Sequence, residues 1–456
     1  MAVQHVNSNF RGQRAVVMGL GRFGGGVGVA RWLAQQGADV TVTDQDPAEK
    51  LQSSIAQLSD TPIVLQLGGH DPEILDTCDL LVVNPAVDKI RSAFFQAALQ
   101  RRIALTTEIN IFLHQCPAKV IGVTGSAGKS TTAAMIHLAL TAALGKISNR
   151  RAWLGGNIGG SLLGDLEKIK PDDLVVLELS SFMLEDLPWI ASSPHIAVVT
   201  NLAGNHLDRH GTLERYASAK QNILRFQTAD DIAILNDDDP AIRAWNTHTR
   251  GHVAYYSTAR VPDIKLAVPG RHNQSNALAA LAVLKAACLE AEAPTALAAL
   301  AEFRGLPHRL QLVHTSDSGV RWLNDSKATT PEAAMTALAA MEKGHFVCII
   351  GGYDKHADMT ELCRRLAAKA GGVLGIGATG QAMVNRVLTL GLAEDHARYA
   401  ATLEQAMRVA DQWLTESRNN SGILDTVLLS PACASYDQFL NYEQRGERFA
   451  ALAKGH

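Results

Sequence analysis

The chain has 456 residues, 47% hydrophobic and 19% charged, with a formal net charge of −3. That length suits two to four domains, and the composition suits compact α/β domains and excludes a disordered chain. With no basic surplus nucleic acid is not expected as a partner, and with no apolar run of about 18 residues no membrane span is expected.

Polar residues fill positions 4–13, so no secretory leader is expected at the start. Cys78, Cys116, Cys288, Cys348, Cys363 and Cys433 are scattered without a CxxC pair. That is the pattern of free thiols in a reducing cytoplasm, not of a disulfide framework or a thiolate zinc site. Short β-branched runs then alternate with Ala/Leu-rich helical stretches, the rhythm of parallel sheets covered by helices.

The first run, residues 15–18, enters "VVMGLGRFGGG", where Gly19, Gly21 and Gly24 stand in GxGxxG spacing. A second run, residues 40–43, ends in Asp44. An acid about twenty residues after the last glycine completes a dinucleotide fingerprint, in which it binds a ribose hydroxyl. An NAD(P) site is one reading. The other is a tight turn in a Rossmann-like sheet that holds a different ligand or none. A diphosphate at the helix N-terminus is favoured whichever nucleotide carries it.

After a run at 80–83, residues 120–123 enter a second glycine turn, "GVTGSAGKS". It fits GxxxxGK[ST] loosely, with Gly122 and Gly128 in the glycine positions and Gly125 between them. Backbone N–H groups of such a turn cradle phosphates, Lys129 neutralises the β/γ region and Ser130 ligates Mg²⁺. ATP is the expected ligand. The runs at 174–177 and 196–200 deliver Glu178, then His206 and Asp208, to strand ends, where ligands gather in open α/β sheets. Glu178 and His206 are therefore candidate metal-associated groups, with solvated or helix-capping roles as the alternative. Lys220 lies in the helical stretch "ERYASAKQNIL" and shares a face with Tyr216. Its local features describe a surface lysine.

Further runs follow at 232–235, 347–350 and 426–429, and "GVRWLNDSKA" restarts a strand after "FRGLPHR". Two glycine turns about a hundred residues apart and this restart imply three sheets, with boundaries near residues 115 and 308.

Several segments together resemble the Mur ligases, the ATP-dependent peptide-bond-forming enzymes of peptidoglycan precursor synthesis. They are "GVTGSAGKSTT", "GGNIGG", "ELSSF", "NHLDRHG…YASAK", "GRHNQSNALAA", "GLPHRLQ", "NDSKATTPEAA", "GGYDKHAD" and "LLSPACASYDQFLNYEQRGERF", in the family's order from about residue 16 to 450. "GLPHR" and the last three are similar to the D-glutamate-adding branch. The resemblance implies an α/β fold of three domains: a Rossmann-like sheet (1–115) for a UDP-sugar, a central P-loop ATPase-type parallel sheet (116–308) for ATP, and a Rossmann-like C-terminal sheet (309–456) for the amino acid. It turns the first glycine motif from NAD to the UDP portion of the substrate, lined by Gly21, Arg22, Phe23, Asp44, Asn84 and Asn157.

The same resemblance implies that ATP lies on Gly125, Ser126, Ala127, Gly128, Lys129, Ser130 and Thr131, with Asn273 at adenine, Asp325 at the ribose and Arg309 at the γ-phosphate. Metal sites for Mg²⁺, two of them, draw on Ser130, Glu178, His206 and Lys220, the last as a carbamate. Lys129, Glu178, His206, Lys220 and Arg309 form the catalytic set. Lys327, Thr329, Lys355, Ser435 and Tyr442 surround the incoming amino acid. The implied substrates are UDP-N-acetylmuramoyl-L-alanine, D-glutamate and ATP, and the implied enzyme is a cytoplasmic monomer. An acyl phosphate hydrolyses easily, so the site must keep water out, and closure of the C-terminal domain over ATP with a pivot near residues 303–309 is expected.

The chain departs from the family pattern at Ala127 (for Asn), Asn205 (for Asp), Thr330 (for Asn), His356 (for Gly) and Tyr442 (often Phe). Thr330 and His356 leave L-glutamate open as an alternative amino acid. A folylpolyglutamate synthase and a catalytically silent nucleotide-binding relative are the other readings. The Rossmann-like segment before the P-loop speaks against the first, and the intact Lys129, Glu178, His206 and Lys220 against the second.

Overall fold

The computed structural model describes residues 9–21, 24–145, 149–204, 207–260, 264–354, 357–420 and 422–455, with backbone alone for residues 207 and 208. The expectations for Arg22, Phe23, Asn205, His206, Lys355 and His356, and for the side chain of Asp208, fall outside this description. The chain forms two compact units, Met1–Asp263 with Ser275–Leu300, and Ile264–Gln274 with Ala301–His456.

The first unit contains two all-parallel sheets. One is built from β1 (Arg14–Met18), β2 (Asp39–Asp44), β3 (Ile63–Leu67), β4 (Leu80–Val83) and β5 (Ala104–Thr106), in the order β3-β2-β1-β4-β5. Residues 15–18 and all of β4 are buried, as near-continuous apolar runs covered on both faces must be. The strand order reverses at β1, between β2 and β4, which opens a crevice at their carboxyl ends.

The other sheet consists of β6 (Lys119–Thr124), β7 (Ala152–Gly156), β8 (Leu174–Glu178), β9 (Ile196–Val199), β10 (Ile232–Asn236) and β11 (His252–Tyr256), in the order β11-β10-β9-β6-β8-β7. Here the switch point is β6, flanked by β8 and β9. The helix Lys129–Leu144 behind it buries nine residues and has apolar side chains on most of its circumference, as a helix covered by a sheet and its neighbours should. One hydrophobic cluster runs through both sheets, from Val17 and Leu33 through Ile111 and Phe112 to Leu177 and Val199. The helix Glu108–Gln115 carries that core from one sheet to the other.

The second unit holds β12 (Gln311–Thr315), β13 (Arg321–Asn324), β14 (Phe346–Ile350), β15 (Gly372–Ile376), β16 (Ala397–Ala401) and β17 (Thr426–Leu429), in the order β12-β13-β17-β14-β15-β16. All pairs are parallel except β12–β13. The sheet thus begins one strand earlier than "GVRWLND". The half-polar segment Gln311–Thr315 is an edge strand on a hairpin, partly exposed, and lacks the continuous apolar run of the central strands. Among the described residues no helix is long and apolar enough to cross a membrane, and all six cysteines are free thiols.

Candidate active site

The turn between β6 and the helix Lys129–Leu144 is shaped by two left-handed or extended glycines, Gly125 (φ +149°) and Gly128 (φ +80°). A Cβ on Gly125 would collide with Oγ1 of Thr200, so no other residue fits there. The turn is braced from β9's loop. Asn201 Oδ1 accepts from the Ala127 N–H at 2.9 Å, while Thr200 Oγ1 (2.8 Å) and Asn201 Nδ2 (3.0 Å) both donate to the Ala127 carbonyl. Ala127 is therefore held through its backbone, and the loss of an Asn side chain there leaves the turn supported. Ser126 Oγ donates to Ala203 O at 2.8 Å. Lys129 Nζ folds back onto the carbonyls of Gly125 (3.0 Å) and Ser126 (3.2 Å), and Ser130 is buried at the helix start next to Thr131.

Glu178 closes β8 beside Val123 of β6. It is 1% exposed; Oε1 accepts from Asn157 Nδ2 at 3.1 Å, and Oε2 has no hydrogen-bond partner. Leaving a buried acceptor unpaired costs about 1–3 kcal/mol, more if charged, so the oxygen marks a place for a cation. Among the described residues no group of three or more His, Cys, Asp or Glu converges. Oxygen donors from Glu178 and Ser130, with the remainder from phosphate and water, suit Mg²⁺.

Lys220 overturns the expectation of a surface lysine. It is 1% exposed, and its Nζ donates to Gly125 O at 2.9 Å, lies 3.4 Å from Thr124 Oγ1 and sits 4.5 Å from the ring centre of Tyr216. The reason is tertiary. The helix Leu213–Arg225 turns Tyr216, Lys220, Ile223 and Leu224 inward, so that Lys220 ends beneath the glycine turn. Burial, reinforced by the charge of Lys129 and opposed by Glu178, pushes the amine down to about 7.

A cavity of about 900 Å³ joins this centre to the first sheet, lined by Gly19, Gly21 and Asn84 on one side and by Lys129, Asn157, Ser180, Tyr216 and Lys220 on the other. Asp44 Oδ2 accepts from the Gly21 N–H at 3.1 Å, which fixes the glycine turn to the end of β2. Gly19 backs onto Asn84, whose Cβ would lie 2.8 Å from a Cβ on residue 19. Arg209 reaches across from the central sheet: Nη1 donates to Ala86 O at 2.9 Å and Nη2 to Val87 O at 3.0 Å, with the guanidinium over the Phe182 ring. Lys89 pairs with the buried Asp186 at 2.6 Å. Glu108, in the cavity wall, accepts from Ser161 Oγ at 2.5 Å, and burial raises it to about 7.

In the second unit, Asp325 follows β13 and is buried. It accepts from the Leu310 N–H (3.2 Å) and Ser430 Oγ (2.8 Å), and burial lifts it to about 7 while Arg309 acts the other way. Arg309 itself is exposed and Asn273 is buried, its Nδ2 donating to Pro269 O at 2.7 Å. Lys327 Nζ lies 5.3 Å over the Tyr442 ring, Thr329 is partly exposed, and Ser435 Oγ is buried with no hydrogen-bond partner. Thr330 caps the helix Pro331–Ala339, accepting from the Ala333 N–H at 3.4 Å. Thr and Asn both serve as N-caps, so this departure from the family pattern keeps a structural role.

Three family profiles match the chain: the Mur ligase MurD-like N-terminal domain over residues 13–107, the Mur ligase middle domain over 123–263, and the Mur ligase glutamate ligase domain over 308–433. The chain is 37% identical, over 97% of its length and 98% of the relative's, to the UDP-N-acetylmuramoylalanine–D-glutamate ligase of Symbiobacterium thermophilum. It is 36% identical, over the same shares, to that of Roseiflexus sp.. The chain belongs to the Mur ligase family. A crystal structure of MurF from Acinetobacter baumannii shares the fold, with a TM-score of 0.58 at 15% identity, covering 97% of this chain and 94% of that one.

For this Mur ligase the dinucleotide alternative at the first glycine turn falls away. The fold brings Lys129, Ser130, Glu178, Asn157 and Lys220 around one turn, and Gly21, Asp44 and Asn84 around the other. Sequence reasoning missed Arg209, the Glu108–Ser161 pair and Arg445. Arg445 is 1% exposed and donates to Ser326 Oγ (2.9 Å) and to the carbonyls of Ser326 (2.9 Å), Cys433 (3.1 Å) and Ala434 (3.3 Å). It ties together the loops that carry Lys327 and Ser435. The signal was available: an arginine at the spacing of the apolar face formed by Gly446, Phe449 and Ala453.

Proposed function

We propose that this Mur ligase joins D-glutamate to UDP-N-acetylmuramoyl-L-alanine, converting ATP to ADP and phosphate through an acyl phosphate of the L-alanyl carboxylate. The observation that carries the reading is the cavity of about 900 Å³, which runs without interruption from the glycine turn of the first sheet to Lys129 and Lys220. A long substrate with a nucleotide at one end and a carboxylate at the other needs such a path. Relatives that are 37% and 36% identical along nearly the whole chain are named for this ligation.

In this reading Gly21, Arg22, Phe23, Asp44, Asn84 and Asn157 hold the UDP-sugar in residues 1–115 and the adjoining loop. The backbone of residues 125–131 cradles the ATP phosphates in residues 116–308. Lys129 exchanges its two carbonyl partners for phosphate oxygens and offsets charge on the transferring group. Mg²⁺ held by Ser130, Glu178, His206 and Lys220 would supply charge neutralisation between the carboxylate and the γ-phosphate. Lys220 is suited to carbamylation, because only an unprotonated amine adds CO₂ and burial keeps much of this one unprotonated at neutral pH. The carbamate turns a buried cation into an anionic oxygen ligand.

Residues 309–456 receive the amino acid. Lys327 and Lys355 offer point charges to its two carboxylates. Thr329, the orphaned Ser435 hydroxyl and Tyr442 complete the pocket. Asn273, Asp325 and Arg309 serve the nucleotide. The amine of glutamate then attacks the acyl carbon, the new C–N bond forms and phosphate leaves. We further assign the enzyme to the cytoplasm as a monomer, with no membrane or nucleic-acid partner; six free thiols support the reducing compartment.

The test is phosphate release from MgATP with UDP-N-acetylmuramoyl-L-alanine and either D- or L-glutamate. Release that needs both the sugar nucleotide and D-glutamate is the expected result. A preference for L-glutamate would overturn the amino-acid assignment. No release with either would overturn the ligase reading.

A further inference from the structure

At one wall of the cavity of about 900 Å³, three side chains are linked in series. Ser181, which lines the cavity, opens the short helix Ser181–Leu184 and is 3% exposed. Its Oγ lies 3.0 Å from Nε2 of His210, the last residue of the helix Leu207–His210. Nδ1 of His210 lies 2.9 Å from Oε1 of Glu185, which follows the first of these helices. The His210 side chain is 1% exposed, so its imidazole is screened from solvent, whereas that of Glu185 is 37% exposed.

A carboxylate only accepts, so the Nδ1–H of His210 donates to Glu185. The neutral ring then carries its lone pair on Nε2, and the Ser181 hydroxyl donates to it. Groups in this order let a hydroxyl pass on its proton, because the carboxylate fixes the tautomer and stabilises the imidazolium that forms. The ring is held on two sides. It stacks on Phe182, with centroids 5.2 Å and planes 6° apart, and meets the Tyr216 ring at 5.2 Å and 60°. Tyr216 in turn has Lys220 Nζ 4.5 Å from its ring centre, so the series adjoins the residues assigned to the reaction. Lys89 Nζ lies 3.8 Å from Glu185 Oε2, and the Arg209 guanidinium lies over the Phe182 ring at 5.1 Å.

We propose that Ser181, His210 and Glu185 form a relay that takes up the proton released when the amine attacks the acyl phosphate. The relay rests on the ligase reading, in which the acyl carbon sits in this cavity beside Lys129 and Lys220. Attack forms the C–N bond and leaves the nitrogen with a proton to lose. As the C–O bond to phosphate breaks, the nitrogen gives that proton to Ser181 Oγ, and Ser181 gives its own to His210 Nε2. The imidazolium, paired with Glu185, holds the proton until the product leaves and water re-enters to take it by the same path. A cavity that protects an acyl phosphate excludes water, so water inside it cannot be the base. Ser181 is a wall residue with an imidazole and a carboxylate in line behind it.

The experiment compares the wild type with Ser181→Ala, His210→Phe and Glu185→Gln in three reactions with MgATP and UDP-N-acetylmuramoyl-L-alanine. The first is acyl phosphate formation, trapped with borohydride. The second is ligation of whichever glutamate isomer the wild type uses. The third is hydroxamate formation from hydroxylamine, whose weakly basic nitrogen sheds its proton unaided. Melting temperature and ATP binding check that each variant is folded. Ser181→Ala and His210→Phe should slow glutamate ligation roughly 10²-fold or more, with the trapped acyl phosphate and the hydroxamate within about threefold of wild type. Glu185→Gln keeps an oxygen for Nδ1–H but loses the charge, and its ligation rate should fall between. Equal losses in all three reactions, or unimpaired glutamate ligation, would overturn the relay. So would a covalent acyl group on the wild-type enzyme without glutamate, since Ser181 would then be a nucleophile. No trapped acyl phosphate in the wild type would overturn the ligase reading, and the relay with it.

Discussion

The fold removes water from the amine of Lys220. Its side chain is 1% exposed, and the resulting desolvation, with Lys129 nearby, brings the amine from 10.5 to about 7. Carbamylation joins the amine nitrogen to the carbon of CO₂ and releases a proton, so its rate follows the unprotonated fraction. At pH 7 that fraction is about one half here and roughly one in three thousand for an ordinary lysine. At a given CO₂ concentration Lys220 should therefore carbamylate about a thousandfold faster than a surface lysine. The assay is reactivation of CO₂-depleted enzyme at fixed dissolved CO₂ between pH 6 and 9, with intact mass reporting the gain of one CO₂. The rate should rise about fivefold from pH 6 to 7 and level off above about pH 8. A rate that keeps climbing tenfold per unit to pH 9, or activity indifferent to CO₂, would refute the reasoning. The same shift governs stability without CO₂. The folded pKa is depressed, so the unfolded chain binds more protons between about pH 7 and 10.5, and stability rises with pH across that window. The full effect is on the order of 4–5 kcal/mol, and Lys220→Met should abolish the slope.

Glu178→Gln keeps the shape and the Asn157 contact but removes the charge from the unpartnered oxygen. Turnover should fall by roughly 10²- to 10⁴-fold while the apo melting temperature holds or rises; unimpaired turnover would remove Glu178 from the metal site. Arg209→Lys replaces a fork spanning two successive carbonyls with a point charge. The KM for the sugar nucleotide should rise about tenfold, with the KM for ATP within about twofold; equal changes in both would mean a general structural loss. Arg445→Met leaves four buried acceptors without their donor. The unfolding transition of the second unit should drop by about 3–5 kcal/mol, with that of the first unit in place, as differential scanning calorimetry can separate.

Much of the fold was legible because its signals are local. The apolar runs at β1, β4, β6 and β8 and the glycines that end β1 and β6 lie within a few residues of one another. Each run reports a strand, and the glycines report the turns that β1 and β6 enter. Glu178 was legible for the same reason, as an acid at the end of an apolar run. The edge strand Gln311–Thr315 was not, since half-exposed strands lack a continuous apolar stretch. Thr330 looked like a pocket residue from its motif, and its hydrogen bond makes it a helix cap.

By itself the sequence determined the three sheets, the two glycine turns and the family, all properties of short segments or of their order along the chain. Only the tertiary structure decided the fate of single charged side chains. Lys220 meets its carbonyl partner 95 residues away, and Arg445 meets Ser326 119 residues away. Whether such a charge is solvated or stripped of water depends on what distant strands place against it. That environment sets the Lys220 amine near 7 and leaves one oxygen of Glu178 without a partner.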